Sequence, residues 1–389
     1  MAPTSISTIN ITFLGTASAQ PSSTRNHSSL ALRLDGDIWL FDCGEATQHQ
    51  IQKSAVKMGR ISKVFITHTH GDHIFGLLPF LASRLNGSGG TVDGAEDPRA
   101  QNLDTHADPI EIYGPPGTRD YVRTGLICTH TMLGGPYVVH ELHAPSSPPP
   151  SSSFLVPPHP GELPNGRDIR IDEEMGIWSD IFTDPLVRVS AAPIAHSVPC
   201  VGYVVEEKPV PGKMDPSLYI PHLKRTKTPM SALSQLQKGE NVTLSDGTEL
   251  RGPERRPGRK VVILGDTYEA SDAMSALARD ADILIHEATN AHLPGIDSNT
   301  KPEDTYQSVE ERSRSRGHST PQVAGRYAKN IRAKKLLLNH FSARYAGNDD
   351  INESARIVMT AIKALAEQEF EGPVVCARDL MSLDVQQRS

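Results

Sequence analysis

The chain has 389 residues, 22% of them charged, and its 39 Lys and Arg against 46 Asp and Glu leave a formal net charge of −7. That length can bury one large core or two modest ones. No apolar run reaches the roughly 18 residues a membrane span needs, and the acidic balance argues against a surface that binds nucleic acid wholesale.

Residues Met1 to Asn10 carry neither an apolar signal core nor an Arg-rich amphipathic face, so no targeting peptide is expected. Ile9 to Leu14 reads as the first strand, followed by a long loop from Gly15 through Pro21 to Arg25-Asn26. Leu30 to Leu34 and Ile38 to Phe41 read as strands joined by a hairpin turn at Asp35-Gly36-Asp37. Asp42-Cys43-Gly44-Glu45 then leads into a helix over Ala46 to Lys53.

Val64-Phe65-Ile66 is a short buried strand, and His68-Thr69-His70-Gly71-Asp72-His73 follows it at once. Nitrogen and hard oxygen donors at this density suit zinc or manganese better than calcium. A lone loop histidine is usually an ordinary polar residue. Four potential ligands in one loop exceed what a single tetrahedral ion takes from it, which favours a two-metal site.

A helix is expected to about Leu85. Residues 86–108, rich in Gly, Asp and Asn, read as a surface insertion. Ile110 to Tyr113 and Val138 to His143 read as strands, with a helix starting near Pro116 between them. Residues 144–166 hold Pro148-Pro149-Pro150 and a serine run, a second insertion in which His159 is expected to be solvated. Ile169 to Ile171 and Val187 to Ala192 resume the strands. From Lys208 to Met230 prolines punctuate a polar segment without a periodic apolar face, and helical spacing returns at Met230 to Gln237. Residues 224–260 carry nine Lys/Arg against four Asp/Glu, a local basic excess in an acidic chain. Beyond it strands at Val261, Ile283, Leu336 and Val374 alternate with helices at Asp272, Pro321 and Ile351, which means α/β layering. Cys43, Cys128, Cys200 and Cys376 form no C-x-x-C pair and read as reduced thiols of an intracellular protein.

Four more polar residues end buried runs, the place where α/β folds collect their sites. They are His196 in Ile194-Ala195-His196-Ser197, Asp266 in Gly265-Asp266-Thr267, Glu287 in His286-Glu287-Ala288-Thr289, and His340 in Asn339-His340-Phe341-Ser342-Ala343-Arg344-Tyr345. Each alone would pass for a capping residue. Together with the H-x-H-x-D-H loop they resemble the ordered motifs of the metallo-β-lactamase superfamily. Glu287 in its motif, Gly317-His318-Ser319-Thr320, Phe13-Leu14-Gly15-Thr16 and Arg25-Asn26 narrow the resemblance to the tRNase Z family in its short, single-domain form. The likeness covers most of the chain outside 86–108 and 144–166.

That resemblance implies an α/β fold of the αββα type: two mixed sheets face to face, helices outside, one domain over residues 1–389. It implies a protruding arm at 208–230 that grips tRNA, although Thr228-Pro229-Met230 replaces the Gly-Pro pair of the bacterial pattern. By the same resemblance His68, His70 and His196 bind one zinc, Asp72, His73 and His340 bind a second, and Asp266 bridges them. Asp72 also handles the attacking water, and His318, polarised by Glu287, supplies the leaving group with a proton. Arg25, Asn26, Lys213, Lys224, Arg225 and Lys227 are the expected tRNA contacts. The implied activity is endonucleolytic removal of the 3′ trailer from precursor tRNA, leaving a 3′-hydroxyl, by a homodimer. The compartment is open among cytoplasm, nucleus and mitochondrion. Two rival readings share the ligands or the fold: a small-molecule phosphodiesterase or arylsulfatase, and a non-catalytic scaffold, which is expected to have lost ligands.

Overall fold

The computed structural model describes residues 5–86, 107–145, 156–210, 212 and 214–387. Among these residues two mixed sheets of eight strands each form the body. The first runs in the order Ser382–Asp384, Ile9–Gly15, Ser29–Leu34, Asp37–Phe41, Ile61–Phe65, Ile110–Gly114, Tyr137–His143, Asp168–Arg170. It is antiparallel as far as Asp37–Phe41 and parallel beyond. The second runs Glu269–Ala270, Val187–Ala195, Cys200–Glu207, Lys260–Ile263, Ile283–Glu287, Leu336–Asn339, Val374–Cys376, with Trp178–Thr183 also paired to Val187–Ala195. Its last four strands are parallel. Runs such as Leu336-Leu337-Leu338 are apolar on both sides because both faces of these strands are covered.

The sheets meet through Phe13, Trp39, Phe41, Phe65 and Tyr113 on one side and Val189, Tyr203, Ile263, Ile285 and Leu337 on the other. Phe41, Phe65 and Tyr113 stack in a row with centroids 4.9 and 5.0 Å apart, a geometry that adds about 0.5–1.5 kcal/mol per pair to burial. Helices Leu77–Arg84 and Thr118–Cys128 cover the outer face of the first sheet through Leu77, Phe80 and Val122. Pro321–Asn330 and Glu353–Glu367 cover the second through Ala324, Ala328, Met359 and Ile362. The αββα sandwich expected from the motifs is therefore the fold. Among the described residues no helix is long and apolar enough to cross a membrane.

Four departures from the sequence reading have physical causes. The helix expected to run unbroken to Leu85 divides into Gly71–Ile74 and Leu77–Arg84. At the break the Gly76 N–H donates to Cys43 O, and a Cβ on Gly76 would stand 1.9 Å from the Gly44 carbonyl oxygen. The insertion expected at 86–108 lies almost wholly outside the described residues, as does the first half of that at 144–166. In the described half His159 is buried, not solvated: its Nε2 donates to Thr131 O at 2.8 Å and its Nδ1 accepts from Gly161 N at 3.1 Å. An unlooked-for helix, Tyr306–Arg314, has little apolar periodicity and is set by a Thr305–Ser308 capping box.

The fourth departure is the segment that leaves the second sheet after Glu207 and returns at Lys260. It has its own apolar cluster, Leu223, Ala232, Leu236, Val242, Leu244 and Leu250, separate from the three of the body. Pro216–Arg225 is a helix in spite of its prolines: Pro216 occupies the first turn, where an N–H has no partner to lose, and Asp215 caps it. A second helix, Ala232–Gln237, and the hairpin Val242–Thr243/Glu249–Leu250 complete it. The expectation of a coreless polar segment ending at Met230 is corrected. The base is closed by paired backbone bonds between Val210 and Arg256 and by the buried Arg259–Glu207 ion pair at 2.8 Å.

Candidate metal centre

All the strand-end residues singled out in the sequence meet along one edge of the sandwich. The Ile61–Phe65 strand delivers the His68 loop, and two bonds tie that loop to the opposite sheet. Tyr203 Oη donates to Ile66 O at 2.7 Å, and Val201 N donates to Thr67 O at 2.9 Å. Two donor groups result, each with its atoms within 4.8 Å of one another: His68, His70 and His196, and Asp72, His73, Asp266 and His340.

In the first group His70 Nδ1 lies 3.1 Å from His68 Nε2 and 3.2 Å from His196 Nε2. In the second, His340 Nε2 lies 3.1 Å from His73 Nε2, 3.3 Å from Asp72 Oδ2 and 3.2 Å from Asp266 Oδ1. Ligands about 2.05 Å from a tetrahedral zinc stand roughly 3.3 Å apart, so both spacings suit an ion at the centre of each group. Asp266 faces both groups. Its Oδ1 is 3.3 Å from His73 Nε2, and its Oδ2 is 3.8 Å from His68 Nε2 and 3.9 Å from His196 Nε2. Asp266 Oδ1 is buried and has no hydrogen-bond partner among the described residues, a costly state that a cation relieves.

The rear nitrogens of four of the five histidines are engaged, as metal-bound imidazoles require. His73 Nδ1 meets Asp42 Oδ2 at 2.7 Å, His340 Nδ1 meets Thr289 Oγ1 at 3.1 Å, and His68 Nδ1 meets Thr67 Oγ1 at 3.0 Å. His196 Nδ1 donates to Gly317 O at 2.8 Å. Gly317 has φ +84°, and a Cβ there would come within 2.5 Å of His196 Nδ1, so glycine is required twice over. Asp42 was read only as the end of a hairpin. In the structure it accepts from Thr67 N and Thr67 Oγ1 as well as meeting His73, at φ +58°. His340 is likewise left-handed at φ +55°, the kind of strain that collects at functional sites.

Burial and the neighbouring imidazoles push His68 well below its usual pKa, which keeps it neutral as a ligand must be. Burial raises the Asp266 carboxyl, but His340, His73 and His68 outweigh it and hold it ionised. Beside the cluster His318 Nδ1 lies 3.0 Å from Glu287 Oε1. Burial lowers the His318 pKa, but the Glu287 carboxylate and then Asp266 outweigh it and raise it to about 9. Glu287 is itself fixed by Thr267 N at 2.8 Å and Thr289 Oγ1 at 2.6 Å.

The expected RNA contacts divide. Arg25 is 1% exposed, with Nε donating to Tyr345 O, Nη1 to Thr16 Oγ1 and Ala377 O, and its guanidinium over the Phe341 ring. It braces the loops behind the cluster and does not meet solvent, which corrects its assignment to tRNA. Asn26 is half-buried, and its amide donates to Glu45 O. Lys224 and Lys227 are exposed, Arg225 pairs with Asp246 at 2.7 Å, and Lys213 lies outside the described residues. Arg255, Arg259 and Lys260 are also engaged with Pro209 O, Glu207 and Glu206, so fewer cations face solvent than the basic excess suggested. A further donor group, Glu141, His143 and Asp168, lies on the first sheet, where Arg119 already spans both carboxylates.

Two mixed sheets with this donor cluster at their strand ends define a metal-dependent hydrolase of the metallo-β-lactamase superfamily, and the donors suit zinc. The chain is 36% identical to the human zinc phosphodiesterase ELAC protein 1 over 392 residues, 97% of this chain and 98% of that protein. It is 34% identical to the ribonuclease Z of Bacillus subtilis strain 168, over 93% of this chain and 97% of that one. The crystal structure of the short form of human tRNase Z superposes with a TM-score of 0.61 at 32% identity, covering 97% of this chain and 99% of that chain. The family described as anti-Pycsar protein Apyc1 matches residues 9–86, the part that carries the histidine loop. The chain belongs to the ribonuclease Z family, in its short form.

Proposed function

We propose that this chain is a zinc-dependent endoribonuclease that removes the 3′ trailer from precursor tRNA, with two ions per chain. The observation that carries the chemistry is Asp266, whose two oxygens each face one donor group. His68, His70 and His196 would hold one ion and Asp72, His73 and His340 the other, with Asp266 between them. Bound zinc supplies Lewis acidity, lowering the pKa of a coordinated water and neutralising charge on the phosphoryl oxygens.

The chain's own residues do the rest. Asp72, whose Oδ2 faces the second donor group and accepts from Ala19 N at 2.7 Å, orients the attacking water and takes its proton through the other carboxylate oxygen. The water oxygen bonds to phosphorus and the bond to the 3′ oxygen breaks, so the trailer keeps the phosphate and the tRNA keeps a 3′-hydroxyl. That 3′ oxygen needs a proton, and His318, with Nδ1 on Glu287, offers Nε2 as the donor. The 208–258 arm, with Lys224 and Lys227 exposed and Lys213 in its sequence, provides the phosphate contacts. The homodimer expected from the short-form family belongs to the same reading and rests on that likeness.

Incubating the protein with a precursor tRNA that carries a 3′ trailer tests the reading. Cleavage should yield a 3′-hydroxyl tRNA and a 5′-phosphate trailer, stop with chelator and return with zinc. Hydrolysis of small diesters alone would favour the small-molecule phosphodiesterase.

A further inference from the structure

Directly beside the cluster lies a cleft that the steps above do not use. It measures about 460 Å³, within the roughly 300–1,000 Å³ typical of small-molecule sites, and it is lined by His196, Tyr268, Glu311, Arg314, Ser315 and Gly317. One wall opens on His196, one of the metal-facing imidazoles. The other is a stacked pair: the Arg314 guanidinium lies 4.5 Å over the Tyr268 ring. Arg314 is also tied to the Glu269 carboxylate, and its side chain is 54% exposed. A ring beneath and a carboxylate at the edge fix the plane of the guanidinium while leaving its outer face open. Such a plane stacks any nucleobase, since every base presents a π-face and unpaired bases are read on aromatic rings and Arg planes. The local charge does not suit a bare phosphate, because Glu269 and Glu311 flank the arginine.

The position of the cleft says which base. Gly317 and Ser315 belong to the loop that carries His318. An acid that protonates the leaving 3′ oxygen stands beside the nucleoside that owns this oxygen. We infer that the Tyr268–Arg314 pair binds the base of the last nucleotide kept on the tRNA, immediately 5′ of the cut, by stacking rather than by reading its edge. The inference rests on the tRNA reading above. Tyr268 and Arg314 are then positioning residues that set the ribose 3′ oxygen against His318, and tolerance of all four bases follows from the mode of contact.

The test compares two precursors within each protein, one natural and one abasic at the nucleotide 5′ of the cut, with a third abasic on the 3′ side. For the wild type the 5′ abasic substrate should lose about 5- to 150-fold in kcat/KM, the range expected for one stacking contact. In Tyr268→Ala and Arg314→Ala the natural and 5′ abasic precursors should be cut with nearly equal efficiency, while Tyr268→Phe keeps the wild-type ratio. The 3′ abasic penalty should be the same in all four proteins. Because each ratio is internal to one protein, partial misfolding of a variant does not imitate the result. An alanine variant that still discriminates by the wild-type factor overturns the inference, as does a wild type indifferent to the 5′ base. A wild type that cuts no precursor but hydrolyses a small diester overturns the tRNA reading, and the cleft assignment with it.

Discussion

The strand-end cluster and the 208–258 arm are built from opposite materials. Every imidazole in the cluster comes from a strand end or from the loop and short helix after it, and the donors from both sheets are locked by buried neighbours such as Asp42, Thr289 and Tyr203. The arm owes its shape to one small apolar cluster and is tied at its root by Val210–Arg256 and Glu207–Arg259. On the function proposed, the difference gives precision to one region and reach to the other. Chemistry on a phosphodiester needs fixed donors, since small displacements of catalytic groups cost orders of magnitude in rate. Gripping a polyanion needs only cations at approximate spacing.

Removing the shared carboxylate should have the largest effect. Asp266→Ala is expected to abolish cleavage and to lower the zinc content measured by elemental analysis, while the arm stays folded. Close to two zinc equivalents are expected before the substitution. One equivalent at saturation, unchanged by Asp266→Ala, would contradict a carboxylate shared between two ions.

His318→Ala should slow cleavage by roughly 10²–10⁴ and leave the zinc content intact. Glu287→Ala should cost a similar factor, and the double variant little more, because the two act as one unit. Full activity in either single variant would make the pair a structural hydrogen bond between loops.

The cluster was the more legible region in the sequence, and the reason is physical. Buried β-branched runs announce themselves by composition, and a polar residue that ends one has few places to go except the common edge of the sheets. His68, His70, Asp72, His73, His196, Asp266 and His340 could all be picked out as candidates this way, and it was the resemblance to the superfamily's ordered motifs that made them one ligand set. Asp42 could not, because its role depends on a left-handed backbone and a partner 31 residues away. Arg25 misled because a charged residue in a motif reads as a substrate contact, whereas burial against Thr16, Tyr345 and Ala377 makes it a brace. The arm was obscured by its prolines: counted as helix breakers, Pro216 and Pro221 hid a capped helix. Its core residues are also spread over 28 positions, from Leu223 to Leu250, too sparse to show as a pattern.

A substitution inside the arm should separate the regions more gently. Leu236 is fully buried in the arm's small cluster, and Leu236→Ala is expected to cost about 2–5 kcal/mol locally, enough to open so small a unit. Amide exchange should speed up across 208–258 and nowhere else. Loss of protection throughout the body would mean that the arm is part of the main cooperative unit.

Acid should act on the body and spare the arm, with the smallest effect. His140 is buried against Tyr113, and its Nδ1 accepts from Arg167 N. Burial, helped by Arg167, lowers its pKa from 6.5 to about 4. The unfolded chain therefore takes the proton first, so the stability tied to neutral His140 is complete above pH 6.5 and is lost as the pH falls towards 4. Urea unfolding over that window should show a shallower pH slope in His140→Gln than in the wild type. An identical slope would remove His140 from the acid response.

The division between fixed chemistry and detachable recognition is tested most directly by replacing residues 209–257 with a short Gly-Ser link across the closed base. Cleavage of precursor tRNA and of bis(p-nitrophenyl) phosphate would then be measured over a salt series. The expected result is a steep rise in KM for the precursor and a flatter salt dependence, each lost phosphate contact removing about 0.7–0.9 from the log–log slope. Small-diester hydrolysis should persist at its original rate. Equal loss of both activities would show that the arm supports the fold, and unchanged precursor cleavage would show that it does not grip tRNA.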